Sequence, residues 1–225
     1  MTRITVVIPT IGRPTLTNTL VALAPQLNDG DRVMVMCDNL ALYNFVCTAV
    51  EMVQRNLEPQ GTWRVYSSKR PLGAFGHRQR NRALDLLCKL EDRPDWVWSI
   101  DDDDEPAFGA LDFIRARIRE NGHRLLIFKM RYGAGHPANG LVLPQRQQIA
   151  IGDVGTPMIV APLSPAEFGL RSTDSVGREH GEGYCGDYEY AVALREEFGE
   201  PVWCDEVIAE IRPVEQQTIV GDDAA

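Results

Sequence analysis

The stretch Trp96-Val97-Trp98-Ser99-Ile100-Asp101-Asp102-Asp103-Asp104 joins a short aromatic and β-branched run to four consecutive carboxylates. The run predicts a buried strand over Val97–Ile100. Four carboxylates directly behind it concentrate a repulsion that packing does not require. A cation relieves such repulsion, and oxygen-only ligands select hard ions such as Mg²⁺ or Mn²⁺. A solvated acidic turn ahead of a helix is the structural alternative, because acidic residues also favour helix N-termini.

Toward the N-terminus the chain alternates regularly. Ile4–Ile8 predicts a strand ended by Pro9. Pro14 suits the first turn of a helix whose Leu16, Leu20, Leu23 and Leu27 recur at helical spacing. Val33–Cys37 predicts the next strand, and Val46, Val50, Val53 and Leu57 mark a second helix. Trp63–Tyr66 predicts a third strand, followed by a helix from about Gly76 to Leu90. This βαβαβαβ rhythm implies a parallel sheet with helices on both faces.

In such a sheet the strands end on one edge, where ligands bind. Pro9-Thr10, Asp38-Asn39, Ser67-Ser68 and the tetra-aspartate are therefore expected to converge. Between Lys69 and Arg82 lie Lys69, Arg70, Arg78, Arg80, Arg82 and His77, with no acid among them. A helix start at Gly76-His77-Arg78 on that edge offers free N–H groups suited to phosphate. A solvated basic helix face is the alternative reading of the island. Carboxylates, a cation and a phosphate-friendly helix end in one cleft point to a nucleotide or another diphosphate.

Beyond Asp104 the pattern changes. Pro106 is expected to open a helix carrying Phe108, Leu111, Ile114 and Ile118 on one face, stopped near Asn121-Gly122. Arg124–Met130, Leu141–Leu143 and Ile159–Ala161 predict strands, and Ser164-Pro165-Ala166-Glu167 resembles a capping box. The glycines between Arg171 and Gly186 predict a mobile loop. A helix over Asp187–Phe198, a strand within Val202–Ile211 and a tail over 213–225 complete the chain. The expected organisation is one domain over 1–225, with a nucleotide-binding half (1–104) and an acceptor-facing half (105–212).

At 225 residues, the chain is long enough for a sizeable core. Its net charge of −9 disfavours broad binding to nucleic acid. No apolar stretch approaches the ~20 residues that cross a bilayer, so neither stable nucleic-acid nor membrane binding is expected. Five cysteines without paired spacing, and a start that looks like a strand, predict reduced thiols in a cytoplasmic setting.

Four segments in register resemble the family-2-like glycosyltransferases of the GT-A fold, over roughly residues 4 to 212. Ile4–Thr10 with Arg13 is similar to their opening strand and loop, and Arg80-Asn81-Arg82-Ala83-Leu84 to their Arg-Asn helix. Val97–Asp104 is similar to the strand leading into their Asp-X-Asp motif. Gly186-Asp187-Tyr188-Glu189-Tyr190 is similar to the segment bearing their catalytic base. The resemblance implies a mostly parallel α/β sheet with a short mixed β half on the acceptor side. It also implies a nucleotide-diphospho-sugar donor, an acceptor hydroxyl and a Mn²⁺ or Mg²⁺ cofactor.

By the same resemblance Pro9, Thr10, Arg13, Asp38, Arg78, Arg82, Asp101 and Asp102 would bind the nucleotide sugar. Asp101 and Asp103 would form the metal pair, with Asp102 and Asp104 replacing them if the register slips by one. His180 would stand in for the late metal histidine of some members, although it precedes the base rather than following it. Asp187 would deprotonate the acceptor, predicting inversion at the anomeric carbon; as a residue alone it can equally be a simple N-cap. A glycine stands before Asp187 where the family often has an acid. Two rivals remain at this level: a sugar nucleotidyltransferase, and a non-catalytic nucleotide-sugar-binding protein. An EF-hand is excluded, since the sixth position counted from Asp101 is Pro106 rather than glycine.

Overall fold

Side chains of the first strand, β1 (Ile4–Thr10), alternate between two packed faces. Ile4, Val6 and Ile8 face one cluster, whereas Val7 faces the other. The same division holds along β2 (Arg32–Cys37), where Val33, Val35 and Cys37 oppose Met34 and Met36. In β4 (Trp96–Ser99), Trp96 and Trp98 oppose Val97. Strands buried on both sides read as continuous apolar runs, and that is how these three read.

The computed structural model of the chain describes residues 2–69, 76–163 and 186–211. With β3 (Thr62–Ser67), these strands form a parallel block in the order β3-β2-β1-β4. Helices α1 (Leu16–Leu23) and α2 (Tyr43–Leu57) cover one face through Leu16, Leu20, Leu23, Val46 and Val50. Helix α3 (His77–Leu87) covers the other through Ala83, Leu84 and Leu87. The expected doubly covered sheet is therefore present.

The sheet continues beyond β4 as β8 (Ile159–Pro162), β6 (Leu126–Tyr132), β9 (Val202–Ile211) and β5 (Asp104–Pro106), while β7 (Val142–Leu143) pairs with β6. Strand β8 runs antiparallel to both β4 and β6, whereas β6 and β9 are parallel. This is the expected short mixed half of the sheet. Helices α4 (Ala110–Asn121) and α5 (Gly186–Phe198) add Leu111, Ile114, Ala191 and Leu194 to the larger core.

Three local expectations are corrected. Pro9 does not end β1, which runs on to Thr10. Beyond Val7 the β4 side of β1 has no ladder partner, so the missing N–H of proline breaks nothing there. Pro106 does not open a helix; it closes β5, which pairs antiparallel with β9. The helix begins at Ala110, after Gly109 turns the chain at φ 75°, and Phe108 is left 98% exposed instead of joining its apolar face. The capping-box segment at Ser164–Glu167, the glycine-rich stretch 171–185 with His180, and the tail over 213–225 lie outside the described residues.

Candidate active site

Strand β4 delivers the tetra-aspartate to the carboxyl edge of the parallel block, beside the end of β1. Thr10 Oγ1 donates to Asp102 Oδ2 at 2.5 Å and accepts the Gly12 amide at 2.8 Å. Arg13 Nη1 lies 2.8 Å from both Asp102 Oδ1 and Asp103 Oδ2. Thr19, on α1, donates to the carbonyl oxygens of Asp102 and Asp104 at 3.3 and 2.6 Å. The acidic turn is thus held by the first loop and the first helix together.

The opposite wall comes from α3. Its N-cap is Gly76, at φ 82°, a backbone conformation that favours glycine. Arg80 forms an ion pair with Asp101, and its Nε donates to Ser99 Oγ at 2.9 Å. Gln79 Nε2 donates to Asp38 Oδ1, while Asp38 N donates to Thr10 O at 2.8 Å. Arg82 Nη1 donates to Ser68 Oγ at 2.8 Å. The ends of β1, β2, β3 and β4 are therefore linked through α3, as the parallel topology predicts.

Between these walls lies a cleft of about 410 Å³ lined by Pro9, Thr10, Ile11, Arg13, Gly76, Gln79, Asp101, Asp102 and Asp103. Burial pushes the carboxyl groups of Asp101, Asp102 and Asp103 above the ordinary carboxylate range. Arg80 and Arg13 oppose that rise at Asp101, and Thr10 and Arg13 oppose it at Asp102. Asp104 is raised well above it, first by burial and then by the charges of Asp101 and Asp103. The cluster holds more negative charge than its solvation supports, a condition that favours cationic ligands.

Asp187, the second residue of α5, lies behind the start of α3. Its Oδ1 accepts from Thr156 Oγ1 and lies 3.9 Å from Nε2 of His77. Burial and the nearby Arg80 hold the His77 imidazole down at about 3, so it is neutral at pH 7. The charge of Asp187 contributes to the raised pKa of Asp101, which links the two acidic groups electrostatically.

Of the residues singled out from sequence, Pro9, Thr10, Arg13, Asp101, Asp102 and Asp103 line the cleft. Asp38 is buried behind Gln79, Arg82 is engaged with Ser68, and Arg78 is exposed on α3. Sequence reasoning passed over Gln79 and Thr156, and left Arg80 out of the binding set. A periodicity signal existed for Arg80, since it precedes Ala83 and Leu84 by one turn and so shares their buried face.

Among the described residues no group of three or more His, Cys, Asp or Glu is arranged to hold a metal ion. Asp101 and Asp103 nevertheless fit a hard cation in chemistry: both are carboxylates that line the cleft, and each has only one oxygen in an ion pair, Asp101 Oδ1 with Arg80 and Asp103 Oδ2 with Arg13. Asp102 fits less well, with its two oxygens taken by Thr10 and Arg13. Among the described residues, no helix is long and apolar enough to cross a membrane.

No family model matches the chain, and no curated protein matches it in sequence. Solved structures match it in architecture. TarS 1-349 of S. aureus in complex with UDP-GlcNAc superposes with a TM-score of 0.67 at 18% identity, covering 96% of this chain and 59% of that one. The same protein with UDP gives 0.64 at 18% identity, over 95% of this chain and 61% of the other. The mannosyltransferase PcManGT of Pyrobaculum calidifontis, in complex with GDP-Man and Mn²⁺, gives 0.59 at 12% identity, over 95% and 58%. The chain thus spans less than two thirds of the length of each of these structures. Its mixed sheet with a parallel block at one end is the expected GT-A-type fold, shared with these structures.

Proposed function

We propose that the chain is a glycosyltransferase that moves a sugar from a nucleoside-diphosphate donor to an acceptor hydroxyl. One observation carries this reading: the cleft combines the carboxylates of Asp101, Asp102 and Asp103 with Arg13 and the N-cap of α3 around about 410 Å³. Such a set suits a diphosphate that arrives with a divalent cation. Neighbours of the same fold hold UDP-GlcNAc in one case and GDP-Man with Mn²⁺ in another, which supports a nucleotide-sugar donor.

In this reading Asp101 and Asp103 hold the cation, Mn²⁺ or Mg²⁺. When bound, the ion supplies Lewis-acid neutralisation of the leaving diphosphate. Arg13 and the α3 N-terminus bind and orient the phosphates, with Arg78 and Arg82 completing the basic side of α3. Pro9, Thr10, Asp38 and Asp102 shape the nucleotide pocket, Asp102 by fixing the loop at Thr10 and Arg13. Asp187 takes the acceptor proton from the side away from the leaving group, giving inversion.

A thermal-shift screen of UDP, GDP and dTDP with and without Mn²⁺ tests binding, and turnover of the matching sugar nucleotides tests chemistry. One nucleotide should stabilise the protein only with the metal, and Asp103→Ala should abolish that shift. Asp187→Asn should stop turnover while leaving nucleotide binding intact. No shift with any nucleotide overturns the reading; binding with no turnover in the wild type reduces it to a binding protein.

A further inference from the structure

Thr156 is 2% exposed and belongs to none of the motifs read from sequence. It opens a single 3-10 turn, Thr156–Met158, just before β8. Three features immobilise that turn. Gly155 packs closely on Met130, whose Cε would stand 3.1 Å from an added Cβ, and its amide donates to Met158 Sδ at 3.1 Å. Trp98 Nε1 donates to Pro157 O at 2.8 Å from a fully buried ring.

Trp98 sits on β4, a short step before Asp101. One strand therefore carries the carboxylate cluster at its end and, through its indole, the turn that bears Thr156. The Thr156 hydroxyl donates in turn to Asp187 Oδ1. The path from Asp101 back along the chain to Trp98, across the indole hydrogen bond to Pro157 and through Thr156 to Asp187 joins the acidic turn to Asp187.

We propose that Thr156 is a positioning residue for Asp187, holding one carboxylate oxygen so that the other meets the acceptor hydroxyl. This inference rests on the glycosyltransferase reading. The terminal torsion of an aspartate is broad, and a fixed donor on one oxygen narrows it. In the reaction the acceptor O–H bond breaks and its proton passes to Asp187. The acceptor oxygen bonds to the anomeric carbon, and the carbon–oxygen bond to the diphosphate breaks with its electron pair. A carboxylate turned away by an ångström loses roughly 100-fold in such a step. His77 brings no competing charge to the same oxygen, because it is neutral.

The test compares the wild type with Thr156→Val, Thr156→Ser and Asp187→Asn, using UDP-GlcNAc and GDP-Man with Mn²⁺ as probes. Thr156→Val removes the hydroxyl at nearly constant volume and should lower kcat about 10- to 100-fold, leaving donor KM within roughly twofold. Thr156→Ser should restore kcat to within about threefold of the wild type. Thr156→Ala takes the place of the valine variant should that protein not fold. A valine variant with wild-type kcat, beside an inactive Asp187→Asn, overturns the positioning role while the base assignment stands. Equal losses in the valine and serine variants reduce Thr156 to a structural residue and also overturn it. Absence of turnover in the wild type, or full turnover in Asp187→Asn, overturns the functional reading and this inference with it.

Discussion

Arg80 and Asp101 form an ion pair across the cleft, joining the buried face of α3 to the turn that follows the β4 strand. The guanidinium is 4% exposed, whereas the carboxylate side chain is 36% exposed. Arg80 also holds Ser99 Oγ, which donates to Val7 O at 3.1 Å, so the arginine stitches α3 to both β4 and β1. Within the cleft it is a resident positive charge beside the first carboxylate of the cluster.

Removing Arg80 leaves Asp101 beside Asp103 without that counter-charge. Breaking a fully buried pair typically costs about 3–5 kcal/mol. Because Asp101 is partly open to solvent, Arg80→Ala is expected to lose roughly 1–3 kcal/mol. In an Asp101→Asn background the same change should be much cheaper, since no stranded carboxylate remains. Urea unfolding of the wild type, the two single variants and the double variant checks this. Additive effects in the double variant would show that the pair contributes nothing of its own.

The parallel block was legible because its signal is local. Continuous apolar runs in β1, β2 and β4, and leucines or valines at helical spacing in α1 and α2, report burial without any knowledge of partners. What stayed illegible depends on distant pairing. Asp104-Glu105-Pro106 becomes a strand only because β9, far along the chain, lies beside it. Thr156 sits in a Gly-Thr-Pro turn with no period, and its partner Asp187 is fixed by tertiary packing. In α3 the signal was present but the basic island masked it: Arg80 shares the face of Ala83, Leu84 and Leu87, whereas Arg78 does not.

His77 makes acid a specific threat to the fold. Its imidazole is fully buried, with Arg80 lowering its pKa, Glu189 raising it, and Asp187 Oδ1 at 3.9 Å. The folded value is about 3, below the ordinary 6.5. As pH falls through 6.5 the unfolded chain gains a proton at this site that the folded chain does not. Stability from this group is therefore complete above pH 6.5 and is lost progressively toward pH 3. By pH 5 the loss is on the order of 2 kcal/mol. His77→Gln should lose less stability than the wild type, by about that amount, when urea unfolding is compared at pH 7 and pH 5. Identical losses in the two proteins would mean that the imidazole is not held neutral in the fold.

Gly76 sets how closely α3 approaches β1, and hence the width of the cleft. Its φ is 82°, and an added Cβ would stand 3.0 Å from Pro9 Cβ and Cγ as well as from Arg80 Nη1. The guanidinium can shift, but the Pro9 ring belongs to a paired strand and cannot. Gly152 provides the control, with a φ of 77° and nothing within 4 Å of an added Cβ. Gly152→Ala should show only the left-handed backbone cost, about 1–2 kcal/mol. Gly76→Ala adds overpacking of roughly 1–3 kcal/mol, relieved by pushing α3 away from Pro9. The displaced helix end would also meet a diphosphate at the wrong distance, so nucleotide affinity should fall in Gly76→Ala and hold in Gly152→Ala. Chemical denaturation and calorimetric titration with UDP and GDP in the presence of Mn²⁺ separate the two effects. Equal stability in the two variants, with unchanged nucleotide affinity, would rule out tight packing of α3 against β1 as the determinant of the cleft.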